Sequence, residues 1–162
     1  MFNGKENGRW RNFSTAEVKD TLDKLSAGLI KLGVSGHDMA IEKQDKIALI
    51  SKNRPEWLML DMACQQIGAA ICPIYPTTNI NELEFIFNDA TIKHVFVSGQ
   101  EILDKVNIIK SRVPSLINVY SLDNLPDVTF WKALIADITA ADLEKMEAVK
   151  ATIKAEHCAT II

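Results

Sequence analysis

The sequence predicts an α/β fold, a mainly parallel sheet of about five strands with helices on both faces. Three observations carry this. Short continuous apolar runs recur, Ile47-Ala48-Leu49-Ile50 and His94-Val95-Phe96-Val97 among them, as expected of strands covered by helices on each side. Between them lie stretches with apolar residues at helical spacing. Polar turn and cap residues mark most of the boundaries. Regular alternation of strand and helix calls for one parallel sheet built with right-handed crossovers.

The elements follow in order. Residues 3 to 8, NGKENG, read as a turn between two extended pieces, with Arg9 to Phe13 as the return strand of a hairpin. Ser14 caps the first helix and Glu17 closes a capping box. Val18, Leu22, Leu25, Leu29 and Leu32 make its apolar stripe, and Gly33 ends it. Ser35 to Asp45, with Gly36 and His37, is a polar connection to the strand that Lys46 opens. Asn53 caps the next helix, Pro55 sits in its first turn and Glu56 reaches back to the cap. Trp57, Leu60, Cys64 and Ile67 form its buried stripe, with Trp57 as a core aromatic, and Gly68 stops it. Ala69 to Ile74 is the next strand, its end bracketed by Pro73 and Pro76.

Asn79 and Glu82 open a helix that ends at Asp89. After the strand His94 to Val97, Ser98 and Glu101 cap a helix with the stripe Ile102, Val106, Ile109 and Val113, closed by Pro114. Leu116 to Tyr120 is a strand, Ser121 to Thr129 a loop and Phe130 to Ile135 a short helix. Thr139 caps a longer helix reaching Lys154, with Leu143, Met146, Val149 and Ile153 inward. Cys158 to Ile162 reads as a fifth apolar strand, buried on both faces.

A chain of 162 residues suffices for one domain with a real core. With 48% hydrophobic and 24% charged residues it has ordinary globular composition. The net charge is −3 without a long run of one sign, which gives nucleic acid and anionic membrane no purchase. No apolar run approaches the ~20 residues of a membrane helix. The first residues, MFNGKENGRWRNFS, lack the apolar centre of a signal peptide. Cys64, Cys72 and Cys158 are odd in number and set in apolar surroundings, so a reducing cytoplasm is expected and a disulfide framework is not.

In such sheets ligands bind beyond the carboxyl ends of the strands. Those ends are Ser51-Lys52-Asn53, Tyr75-Pro76-Thr77-Thr78, Ser98-Gly99-Gln100 and Ser121-Leu122-Asp123. A phosphate cradle needs closely spaced glycines, and the seven here are scattered. His37, His94 and His157 match no zinc spacing, and Cys64 and Cys72 read as small buried apolar groups. Ser51 and Ser98 follow strands but read as turn and cap residues rather than nucleophiles. Ser51-Lys52-Asn53 and Ser98-Gly99 also do not supply the acidic residues of a receiver domain. The residues alone therefore lead to an α/β domain without a complete active site.

The run Ile47 to Trp57, then Asp61, Gly68-Ala69-Ala70 and Pro73-Ile74-Tyr75-Pro76-Thr77, resembles the N-terminal region of AMP-forming acyl-CoA synthetases, long-chain fatty acid–CoA ligases in particular. Glu82 to Asp89, Gly8-Arg9-Trp10, Ala27-Gly28-Leu29 and Leu32-Gly33 extend the likeness, which covers Arg9 to Ile162. These are scaffold motifs; their order and spacing carry the specificity. The resemblance implies a parent ligase that activates a carboxylate with ATP and Mg²⁺ and passes the acyl group to CoA. It implies that Ala159 to Ile162 leads into the phosphate loop, so that residues 1–162 form one domain ending just before it. No ATP-contacting or catalytic residue of the family falls in this stretch, and the expectation is an inactive scaffold with no cofactor, metal or catalytic residue of its own. Tyr75 and Thr77 are candidates for the edge of an acyl tunnel. Expected partners of the whole enzyme are fatty acid, ATP and CoA, in the cytoplasm or peripheral to a membrane. The apolar C-terminal strand points to self-association. The alternatives are a self-contained binding module with the same sheet, or an α/β enzyme of another type.

Overall fold

In the computed structural model, which describes residues 2–6, 8–34, 36 and 40–162, the apolar run after Asp45 is the centre of the sheet. Ile47, Ala48 and Leu49 have no exposed surface and Ile50 is nearly covered. This strand is β3 (Lys46–Ile50). It pairs in parallel with β4 (Ala70–Ile74) on one side and β5 (His94–Val97) on the other. β6 (Asn118–Ser121) and β7 (Thr129–Phe130) extend the sheet past β5, giving the order β4-β3-β5-β6-β7. Successive residues of β3 point to opposite faces. Ile47 and Leu49 enter a core with Leu25, Leu29, Leu60, Phe96 and Trp131. Ala48 and Ile50 enter a second with Leu83, Phe87, Val95, Val97 and Val106. Helices α1 (Thr15–Lys31) and α2 (Pro55–Gln66) supply the first core, α3 (Ile80–Asp89) and α4 (Gln100–Ile109) the second. α5 (Ala133–Ala136) and α6 (Ala140–Lys150) pack on α1.

Local chemistry explains three helix starts, although Glu17 does not close the expected box with Ser14, since its carboxylate accepts from Arg11 instead. The Ser14, Asn79 and Thr139 side chains each accept the N–H of the residue three on, and Thr139 with Asp142 completes a capping box. A separate antiparallel hairpin, β1 (Phe2–Glu6) and β2 (Arg9–Phe13), precedes α1. Its strands leave room for only a short turn, so the expected turn over residues 3 to 8 is mostly strand; Asn7 lies outside the described residues. So do Ser35 and His37 of the expected polar connection.

Other expectations change. Asn53 does not cap α2: Arg54 holds the N-cap position with no side-chain cap bond, and Pro55 is at the helix start. Ser98 does not cap α4: Gly99 does, with φ +82, a conformation cheap only for glycine. Trp57 is half-buried and packs on the flank of the first core rather than in its centre. The loop Ser121 to Thr129 is shorter, because Thr129 and Phe130 form β7, and the helix expected from Phe130 begins at Ala133. α6 stops at Lys150, not Lys154.

The largest correction concerns Cys158 to Ile162. This segment is not a buried strand. It makes one parallel bridge, Ile71 to Thr160, along the outer edge of β4, and Ala159, Thr160 and Ile162 are exposed. The fifth strand of the sheet is β7 instead. Pro73 also finds its reason here. Ala70 N–H points to the β3 side, where it meets Asp45 O, and Ile71 N–H points outward to Ala159 O. By alternation the Pro73 nitrogen faces outward as well, where a missing donor costs no ladder bond to β3.

Candidate functional site

After β3 the chain crosses by α2 to β4 on one side, then returns by α3 to β5 on the other. The turns after β3 and β5 therefore diverge. A crevice at such a point, beyond the carboxyl ends of the strands, is where open α/β sheets bind ligands. A cavity of about 940 Å³ lies there. Its walls come from Ser51 to Glu56, from Ser98 to Ile102, and from Asp123 and Pro76, with Asn3, Lys5, Trp10 and Phe13 of the hairpin alongside. Gly4 lets the hairpin lie against the start of α2, because a Cβ there would stand 2.8 Å from Pro55 Cγ.

Arg54 fixes this geometry. Its Nε donates to Glu56 Oε2 and its Nη1 to Asp123 Oδ1, both at 2.8 Å, and its Nη2 donates to Leu122 O at 3.2 Å. The other Asp123 oxygen accepts the Gly99 N–H at 2.9 Å, and the Asp123 N–H donates to Ser121 Oγ at 3.0 Å. One carboxylate thus joins the turns after β3, β5 and β6. Burial works against the Arg54 charge, but the hydrogen bonds to Glu56 and Asp123 outweigh it and hold its pKa above the usual value. Arg54→Met should lower stability by about 1–2 kcal/mol, less than a fully buried pair because Asp123 keeps contact with water. Urea unfolding measures this; no change would mean that both carboxylates rehydrate freely.

Among the described residues the site holds no assembled nucleophile. Ser51 Oγ donates to the Lys52 carbonyl at 2.8 Å. Burial raises the pKa of the Cys64 and Cys72 thiols, which disfavours the reactive thiolate. His94 opens β5 at the far end of the strand from the cavity, and burial lowers its pKa. His157 lies by Gly36. Among the described residues no group of three His, Cys, Asp or Glu side chains could hold a metal ion. The cavity glycines, Gly4 and Gly99, come from different elements and form no phosphate cradle. These residues do not fit a magnesium–nucleotide, and no chemical step is assigned to them.

Tyr75 and Thr77 follow β4, both exposed, Tyr75 by 81%. Pro76 between them reaches the cavity; they do not line it. Reading the residues in order missed the Arg54–Asp123 pair. The available signal was weak: a lone arginine in the turn after β3, and an aspartate at another strand end.

The family model described as "AMP-binding enzyme" matches residues 2–162. Among curated relatives, the "Long-chain-fatty-acid--CoA ligase heimdall" of Drosophila melanogaster is 22% identical over 98% of this chain and 24% of its own length. The "Long-chain-fatty-acid--CoA ligase FadD15" of Mycobacterium bovis is 27% identical over 71% of this chain and 18% of its own. The chain therefore spans about a quarter or less of these relatives. Of solved structures, a luciferase-like enzyme from the mealworm Zophobas morio shares the fold with a TM-score of 0.68 at 14% identity, over 80% of this chain and 28% of that one. An anthranilate CoA ligase, AuaEII, does so with a TM-score of 0.65 at 19% identity, over 80% and 22%.

Proposed function

Since the chain belongs to the AMP-binding enzyme family, we propose that it is the N-terminal scaffold domain of an ATP-dependent long-chain fatty acid–CoA ligase. One observation carries this reading: a relative named as such a ligase aligns with nearly the whole chain, while the chain spans a quarter of that relative. In this reading residues 1–162 form a single α/β domain, inert on its own. The parent would join a fatty acid to CoA through an acyl-adenylate, using ATP and Mg²⁺ bound by parts of the protein outside this stretch. Tyr75 and Thr77, exposed beyond β4, are the residues of this domain that would edge the acyl tunnel. The parent would work in the cytoplasm or peripheral to a membrane. Self-association of the chain by itself belongs to this reading too, on exposed internal apolar side chains such as Phe85 and Ile117.

The test is calorimetry with ATP and Mg²⁺. The scaffold reading expects no measurable binding, because the described residues form no cradle or carboxylate cluster to hold the nucleotide. Binding with a Kd of about 1 μM, worth roughly 8 kcal/mol, would overturn it. The cavity supports a second reading, a self-contained binding module, since its walls are already fixed by Arg54 and Asp123.

A further inference from the structure

Gln44 stands in for a strand residue. It is 1% exposed. Its Nε2 donates to Gly68 O at 2.8 Å and to Cys158 O at 3.1 Å, while its Oε1 accepts the Cys158 N–H at 3.2 Å. Both amide protons and the amide oxygen are used. The grip on Cys158, one bond given and one taken, copies the two-bond contact between paired strand residues. From that grip the segment runs along β4. Ile71 N–H donates to Ala159 O at 3.0 Å and Ile161 N–H to Ile71 O at 2.9 Å.

That single bridge sets a register poorly. Ala159, Thr160 and Ile162 are exposed and Ile161 is half-buried, so sliding the segment would displace no buried apolar set. Gln44 removes the freedom by binding one residue, Cys158, at both backbone groups. His157 adds an anchor, with Nε2 3.1 Å from Gly36 O. The three segments can meet because Gly36 and Gly68 carry no side chain: a Cβ on Gly36 would stand 2.0 Å from Gly68 O.

We propose that Gln44 is a positioning residue that sets the register of Cys158–Ile162 on β4, and so the direction in which the chain leaves the sheet. With the ligase reading, on which this last step rests, Gln44 governs where the ATP-phosphate loop is delivered.

Thiol alkylation tests it on the chain itself. Cys158 is half-buried, while Cys64 and Cys72 are buried and report general loosening. Gln44→Met keeps the side-chain volume and loses all three hydrogen bonds. Iodoacetamide labelling, followed by peptide mass, should then proceed roughly tenfold faster at Cys158, the equivalent of one or two net hydrogen bonds. Labelling at Cys64 and Cys72 should not change, and amide exchange at Ile161 should rise without a rise at Ile47. Gln44→Glu, which keeps the acceptor and loses the donors, should act in the same direction if the Met variant folds poorly. An unchanged Cys158 rate overturns the proposal, and so does equal acceleration of all three thiols. Neither result depends on ATP binding, so failure here is separable from failure of the ligase reading.

Discussion

Phe96→Ala should lower the unfolding free energy by about 3–5 kcal/mol, the range for emptying a buried aromatic site. Phe96 has no exposed surface and lies in β5, flanked in register by Leu49 of β3 and Tyr120 of β6. Its ring stacks on Tyr120 with centroids 5.0 Å apart, which adds a geometry-dependent term to the burial. The surroundings cannot close over the hole, because the backbone on both sides is held in the sheet. Domains of this size carry about 5–15 kcal/mol in total, so the variant should be close to unfolding. Urea unfolding gives the value, with the slope checked for constancy. A loss of about 1 kcal/mol or less would show that the first core relaxes around position 96. Trp57→Ala should cost less, since Trp57 covers the flank of that core and keeps part of its surface in water.

Gly28→Ala should destabilise by about 2–3 kcal/mol through overpacking, against the usual sign. In the middle of a helix, alanine in place of glycine normally gains up to about 1 kcal/mol. Here a Cβ on Gly28 of α1 would stand 2.3 Å from the Leu134 carbonyl oxygen and 3.1 Å from its carbon. The obstacle is backbone, not a side chain that can turn aside. Either α5 moves off α1 or the variant pays in strain. Thermal or urea unfolding decides, and a gain in stability would mean that α5 yields freely.

Much of this fold was legible because its determinants are local. The apolar runs at β3, β4 and β5 need no partner to be recognised, and the Ser14, Asn79 and Thr139 caps close over three residues. Asn53 and Ser98 offered the same spacing to Glu56 and Glu101 and misled for a physical reason. Arg54 is tied to Asp123, far along the chain, and Gly99 makes its turn by a positive φ; a cap motif encodes neither. β7 was missed because two residues carry no period, and the apolar pattern from Phe130 onward fits a helix equally well. Apolar composition at Cys158 to Ile162 does not separate a buried strand from a segment lying on a sheet edge. The candidate site was legible only as a place, the strand ends. Its fixing pair, Arg54 and Asp123, required the sheet order to bring two distant turns together.

The order β4-β3-β5 also bears on how quickly the chain can find its structure. Among the described residues, β1–β2 and β6–β7 pair strands that are near in sequence, but the central pairs do not. Ile47 meets His94 only after the whole excursion through α2, β4 and α3 has been closed, at a loop entropy that no contact repays until the pairing forms. Contacts so distant in sequence slow folding toward the millisecond-to-second range. During synthesis β3 and β4 emerge first, and the β5 side of β3 stays unpaired until the residues through Val97 have been made. In that interval a bare apolar strand edge is open to other chains.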